Sequence, residues 1–153
     1  MRKGIIVLVS LISIIVLAVF LLIKSSPEKQ AEEAAEEFFT YEQEGAFANA
    51  WDMFHPFIKN KFTKETYIQD RSEAMMTFFG ELDFTYSFGD VEKITDWSPG
   101  KDEDPIATAY RITVSQQFAG KYGNSSLVQD IYLVNIEGEW NILWDYKNGD
   151  EDS

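Results

Sequence analysis

The sequence predicts an α+β domain carried behind a membrane-spanning helix, and three observations carry that prediction. Residues 4–23, GIIVLVSLISIIVLAVFLLI, are apolar apart from Ser10 and Ser13. From Pro27 to Phe79 apolar residues recur at helical spacing, and from Leu82 onward they alternate as in strands. Helices first and strands afterwards is the order of segregated α+β folds. The expected architecture is three helices packed on one face of a curved, four-stranded antiparallel sheet. Residues 1–24 form the anchor and residues 25–153 a single domain, long enough for one real core.

The apolar run, at ~1.5 Å per residue, spans about 30 Å, the thickness of a bilayer's hydrocarbon. Arg2 and Lys3 precede it, whereas Lys24 is soon outweighed by Glu28, Glu32 and Glu33. The positive-inside bias therefore places the N-terminus in the cytoplasm and the domain outside. The run exceeds the length of a signal-peptide core, and LLIKSSPEKQ offers no small-x-small cleavage site, so an uncleaved signal-anchor is expected. The lipid bilayer is thus a partner through residues 4–23. The absence of cysteine excludes disulfides, thiolate metal sites and a lipoprotein anchor. Residues 25–153 carry 10 Lys and Arg against 26 Asp and Glu, a balance of −16, which would repel nucleic-acid backbones.

Each element has its own signals. Ser26 can cap a first helix with Pro27 at its first position. Ala31, Ala34, Ala35, Phe38 and Phe39 make its buried stripe, five glutamates crowd the rest, and Gly45 stops it. A second helix is expected over 46–54, ending at His55 because Pro56 disfavours helical geometry before it. Thr63 can cap a third, ending at Gly80. Leu82, Phe84, Tyr86 and Phe88 alternate with polar residues, and the phase slips at Gly89-Asp90, which reads as a bulge or a bend. WSPGKDEDP is a loop. Ile106, Thr108, Tyr110, Ile112, Val114 and Phe118 line one face of a long strand. Gly120 to Ser126 is read as the following turn. LVQDIYLVNI is apolar on both faces and suits a central strand. Glu137-Gly138 makes a tight hairpin into EWNILWDY.

The stretch AEEFFTYEQEGAFANAWDMFHPFIKNKFTKETY resembles the opening of NTF2-like (cystatin-like) domains. It is closest to the membrane-anchored extracytoplasmic NTF2-like domain at the N-terminus of some penicillin-binding transpeptidases. The resemblance covers nearly all of residues 27–146 and rests on pattern and spacing. It implies a cone-shaped domain enclosing a pocket, with an accessory, non-catalytic role near cell-wall machinery and an envelope protein as partner. It extends also to inner-membrane assembly proteins of conjugation systems, and to pocket enzymes of the isomerase or dehydratase kind. Two Ser-x-x-Lys matches, Ser26–Lys29 and Ser98–Lys101, lack the Ser-Asp-Asn and Lys-Thr-Gly elements that transpeptidase chemistry needs beside them.

No residue pattern demands catalysis, a cofactor or a metal. His55, the only histidine, can pair with Asp52 one turn earlier as a base, but it is better read as closing a helix at a chain reversal. A pocket enzyme would draw its carboxylate from Asp83, Asp130 or Asp145. The 12 Phe, 7 Tyr and 4 Trp fill the core, and a surplus can line a pocket for an apolar or sugar-like ligand. Tyr41, Trp51, His55, Tyr67, Tyr86, Tyr110 and Trp144 are the lining candidates. Arg111, isolated among small residues, is expected to pair with Asp130 or Asp145, or else to mark a docking face.

Overall fold

The computed structural model describes residues 26–79, 84–101, 103–120 and 123–145. The apolar run 4–23, Gly80, Leu82, Asp83 and Tyr146 lie outside the described residues. Among the described residues no helix is long and apolar enough to cross a membrane.

Helix α1 (Pro27–Gln43) begins as its sequence requires. The Ser26 hydroxyl accepts the Lys29 N–H at 3.2 Å, and Pro27 occupies the first turn, where a missing N–H costs nothing. Its buried stripe is Ala31, Ala34, Ala35, Phe38, Phe39 and, unforeseen, Glu42. Gly45 ends it at φ 70°, with Gly45 N–H donating to Glu42 O at 3.3 Å and Ala46 N–H to Tyr41 O at 2.8 Å. That pair of bonds is a Schellman cap, whose left-handed position favours glycine.

Helix α2 (Phe47–Asp52) is shorter than the expected 46–54 because Met53–His55 leave the helix to pair with a strand. A further helix, α3 (Pro56–Lys61), replaces the expected chain reversal. His55 therefore opens a helix instead of closing one. Its Nδ1 accepts the Phe57 N–H at 3.1 Å, and Pro56 sits at the first helical position. This is the same pairing of a polar acceptor with proline that starts α1. Helix α4 (Lys64–Ala74) is capped by Thr63, whose hydroxyl accepts the Thr66 N–H at 3.2 Å, and it runs on into a π-helical turn, Met75–Phe79. Among the described residues the helical layer thus has four α-helices, not three.

The four strands, β1 (Phe84–Trp97), β2 (Ile106–Gly120), β3 (Gly123–Ile136) and β4 (Glu139–Leu143), form one open antiparallel sheet in sequence order. The register slips between Phe88 and Val91, where the bulge was expected. Gly120 pairs directly with Gly123, so the β2–β3 turn is tighter than the expected 120–126. Glu137 (φ 54°) and Gly138 (φ 100°) both take positive φ, as a two-residue hairpin of matching twist requires. The outer side of β4 is covered by the chain after α2: His55 N–H donates to Ile142 O and Ile142 N–H to Met53 O, both at 2.9 Å.

Helix α1 lies across all four strands. Beneath it Ile112, Val114, Phe118, Ile131, Leu133 and Ile142 are fully buried. Phe38 meets Phe54 at 5.5 Å and Trp144 at 6.4 Å, and Phe39 meets Tyr86 and Phe88. The opposite face of the sheet buries Ala109, Tyr132, Val134 and Leu143, with Trp97 stacked on Tyr132 at 3.9 Å. Strand β3 lies between β2 and β4, as expected of a central strand, and among the described residues it is flanked on both sides along Tyr132–Ile136.

Gly45 gives a direct test. Gly45→Ala should lower stability by about 1–2 kcal/mol, the cost of a Cβ at left-handed geometry. Urea unfolding followed by tryptophan fluorescence measures it. A substitution at exposed Glu44 should leave the midpoint unchanged.

Candidate functional site

The Gly45 turn sends α2 back beside α1, and the β3–β4 hairpin rises next to both. Between them lies an open groove of about 700 Å³. Its α1 wall presents Gln30, Glu33, Glu37 and Tyr41 on successive turns, the spacing that puts side chains on one helix face. Asn49 and Asp52 come from α2, Glu139, Trp140 and Asn141 from β4, and Ala34 and Met53 are the apolar members.

The groove is acidic. Among the described residues Glu33, Glu37, Asp52 and Glu139 line it, and no lysine or arginine does. Asp52 has a close cation, Lys64 Nζ at 2.7 Å. The Tyr41 hydroxyl donates to Glu37 at 2.8 Å. That bond, reinforced by the Glu37 charge, raises the phenol's pKa, so Tyr41 stays a neutral donor. Trp140 stands edge-on to buried Tyr110 at 5.5 Å, and burial, then Glu28, raises the Tyr110 pKa.

The aromatic candidates do not gather around one pocket. Tyr41 lines the groove, and Tyr110 underlies its Trp140. Tyr86 packs on Phe39 beside Thr40. Trp51 and His55 sit at the α2–α3 corner. There Lys59 and Lys64 lie 5.1 and 5.5 Å from the Trp51 ring, while its buried Nε1 has no partner among the described residues. Asp52 turns to Lys64, and the Asp52–His55 pair is not among the hydrogen bonds of this corner. Arg111 pairs with Glu92 at 2.5 Å and reaches Asp130 at 3.8 Å, which answers the expected Asp130 partner and adds an unforeseen one.

Tyr67 and Trp144 do reach the interior, packed from two sides on Phe54 at 4.8 and 5.0 Å. Tyr67 also belongs to a buried polar knot. Its hydroxyl donates to Glu42 Oε1 at 2.5 Å, and Arg71 Nε donates to Glu42 Oε2. Glu42 is 1% exposed. Burial first, then the Glu42 charge, drives the Tyr67 pKa upward, so Tyr67 remains a donor. Gln116 on β2 is fully buried, and neither polar atom of its amide has a partner among the described residues. The knot was missed although its signal was present: Glu42 falls four residues after Phe38, on the same stripe.

No family model matches the chain, and no curated protein matches it. Among the described residues no group of three His, Cys, Asp or Glu side chains is arranged to hold a metal ion.

Two predictions follow from these contacts. Arg71→Met leaves the Glu42 carboxylate buried without its cation and should cost about 3–5 kcal/mol in urea unfolding. The triple change E42L/Y67F/R71M, which removes the whole knot, should recover most of that loss. His55 titrates below its ordinary value, through burial first and Lys59 second. Its contribution is complete above the unfolded pKa of about 6.5 and declines as pH falls from there toward the folded value, because the unfolded chain takes up the proton first. His55→Asn keeps a capping acceptor and should lose this part of the acid dependence of the melting temperature.

Proposed function

We propose that this chain is a non-catalytic, membrane-tethered binding module of the bacterial cell envelope. Residues 4–23 hold it to the bilayer, the domain stands outside, and it holds an envelope protein near cell-wall machinery. The observation that carries the reading is the groove between α1, α2 and the hairpin. It is open, rimmed by carboxylates and furnished with Tyr41 and Trp140. A basic, extended segment of a partner protein suits such a surface, because opposite charge steers the encounter and aromatic side chains anchor the contact.

The groups best suited to proton transfer support a structural role. His55 Nδ1 is occupied by the α3 cap, and both oxygens of Glu42 are taken by Tyr67 and Arg71. A general base needs a free lone pair within reach of a substrate. The NTF2-like resemblance points the same way. A second reading, a pocket for a small apolar or sugar-like ligand, is favoured by one observation, the buried amide of Gln116 with both polar atoms unpartnered.

Deleting residues 1–24 should move the protein from the membrane to the soluble fraction. In the full-length protein, a photo-crosslinking residue at Asn141 should capture one defined envelope protein. That adduct should fall at least tenfold in E33K/E37K and persist in R111A. A full-length protein that fractionates as soluble, or an adduct indifferent to the groove's charge, overturns the proposal.

A further inference from the structure

The two outer limits of the sheet are built differently. Strand β1 carries a bulge between Phe88 and Val91 and presents Asp90, Glu92, Lys93 and Asp96. Bulges and charges are the usual protection against pairing with a foreign strand. The outer side of β4 is covered by Met53–His55. Strand β3, however, has 14 residues and β4 only 5, and the β4 pairing begins at Tyr132. Residues Gly123–Ile131 are therefore paired with β2 on one side. On the other they have no partner strand among the described residues.

Among the described residues this open stretch has none of the usual protection. Gly123–Gln129 reads GNSSLVQ, with no charge and no proline. Leu127 and Val128 are 39% and 62% exposed, and with Met76 they are the large apolar side chains left exposed among the described residues. Within residues 123–131 the one charge is Asp130, which accepts from Thr113 at 2.6 Å and faces Arg111 at 3.8 Å.

We propose that this edge is an interaction surface for a second copy of the chain, joined by antiparallel strand pairing about a two-fold axis at Leu127. Charge selects the occupant. The chain carries a net charge of −13, so two copies approach each other best through an uncharged strip, and both bring the same one. Geometry selects the register. Leu127 is the midpoint of the open residues 123–131, so pairing about it uses their whole length. It sets Leu127 against the partner's Leu127, Val128 against the partner's Ser126, and Asp130 against the partner's Asn124. No like charges meet, and the short side chains at 124–126 leave room for Val128. Such an isologous contact closes on itself and stops at the dimer. This inference stands apart from the groove, which lies on other elements.

The chain has no cysteine, so a single introduced one reports a single position. In the full-length protein in non-ionic detergent micelles, Leu127→Cys should oxidise to a covalent dimer at least tenfold faster than Thr95→Cys on the β1 edge. Mixed S126C and V128C chains should form the heterodimeric disulfide faster than either forms its own. Val128→Lys, at an exposed position, should weaken the dimer at least tenfold in sedimentation equilibrium. Three results overturn the proposal. One is a full-length protein that stays monomeric at all concentrations. Another is a dimer indifferent to V128K in which L127C oxidises no faster than T95C, since that dimer is held elsewhere. The third is a monomer that dimerises only when truncated after Asp145, which assigns the edge to residues 146–153 of the same chain.

Discussion

The helical layer depends on one carboxylate held out of water. Burying an ionised Glu42 costs several kcal/mol unless a cation and further donors meet it, and both come from α4, where Tyr67 and Arg71 stand one turn apart. Helix α4 has no fully buried residue of its own between Lys64 and Ala74. It is therefore held by a polar clasp to α1 and by the Tyr67–Phe54 ring contact to the segment after α2 more than by an apolar stripe. The next residue, Gln43, extends the clasp, because its side-chain amide donates to the Phe84 carbonyl at the start of β1. The end of α1 thus binds helix α4 and the first strand at one point. Where α4 lies in turn decides where Met75 enters the core, fully buried under the π-helical turn.

The groove follows from the other side of the same helix. The Schellman turn at Gly45 folds α2 back along α1, so Tyr41 and Glu37 face outward while Phe38 and Phe39 stay in the core. Acid and base are sorted between these surfaces. Glutamates occupy the α1 wall, whereas Lys59 and Lys64 gather around the Trp51 ring at the α2–α3 corner. Asp52 sits at the boundary. It lines the groove while its carboxylate holds Lys64 and its carbonyl accepts from Lys59. A strongly acidic chain thereby gathers negative charge on one concave face.

Much of the framework was legible because the boundary residues act locally. Ser26-Pro27, Thr63, Gly45 and Glu137-Gly138 each satisfy or redirect the backbone within a few residues, and each is found in that role. The misses have a common physical cause. His55-Pro56 carries two opposite meanings, the end of one helix and the cap of the next, and only the strand waiting at Ile142 decides between them. Glu42 falls on the buried stripe, but it is one of many glutamates on α1, and sequence periodicity does not link it to the partner that allows its burial, Arg71. The aromatic candidates scattered because residue type reports a ring and not its direction. Tyr41 faces the groove, whereas Tyr67 faces Phe54. LVQDIYLVNI reads as a central strand and is one, but how far its neighbour runs along it is set by where β4 stops.

The ladder between Met53–His55 and Ile142 joins positions far apart in the sequence, one in the helical half and the other in the last strand. Contacts of such long sequence separation form late, since the entropy of closing the intervening loop must be met first. During synthesis, α1, α2 and the first three strands emerge before β4 exists. Until it does, Phe54 has no strand to dock against and its ring has no Trp144 to meet. The domain is therefore latched by its final strand, and a nascent chain stalled before Ile142 exposes an unsealed aromatic core to whatever chaperone attends its emergence.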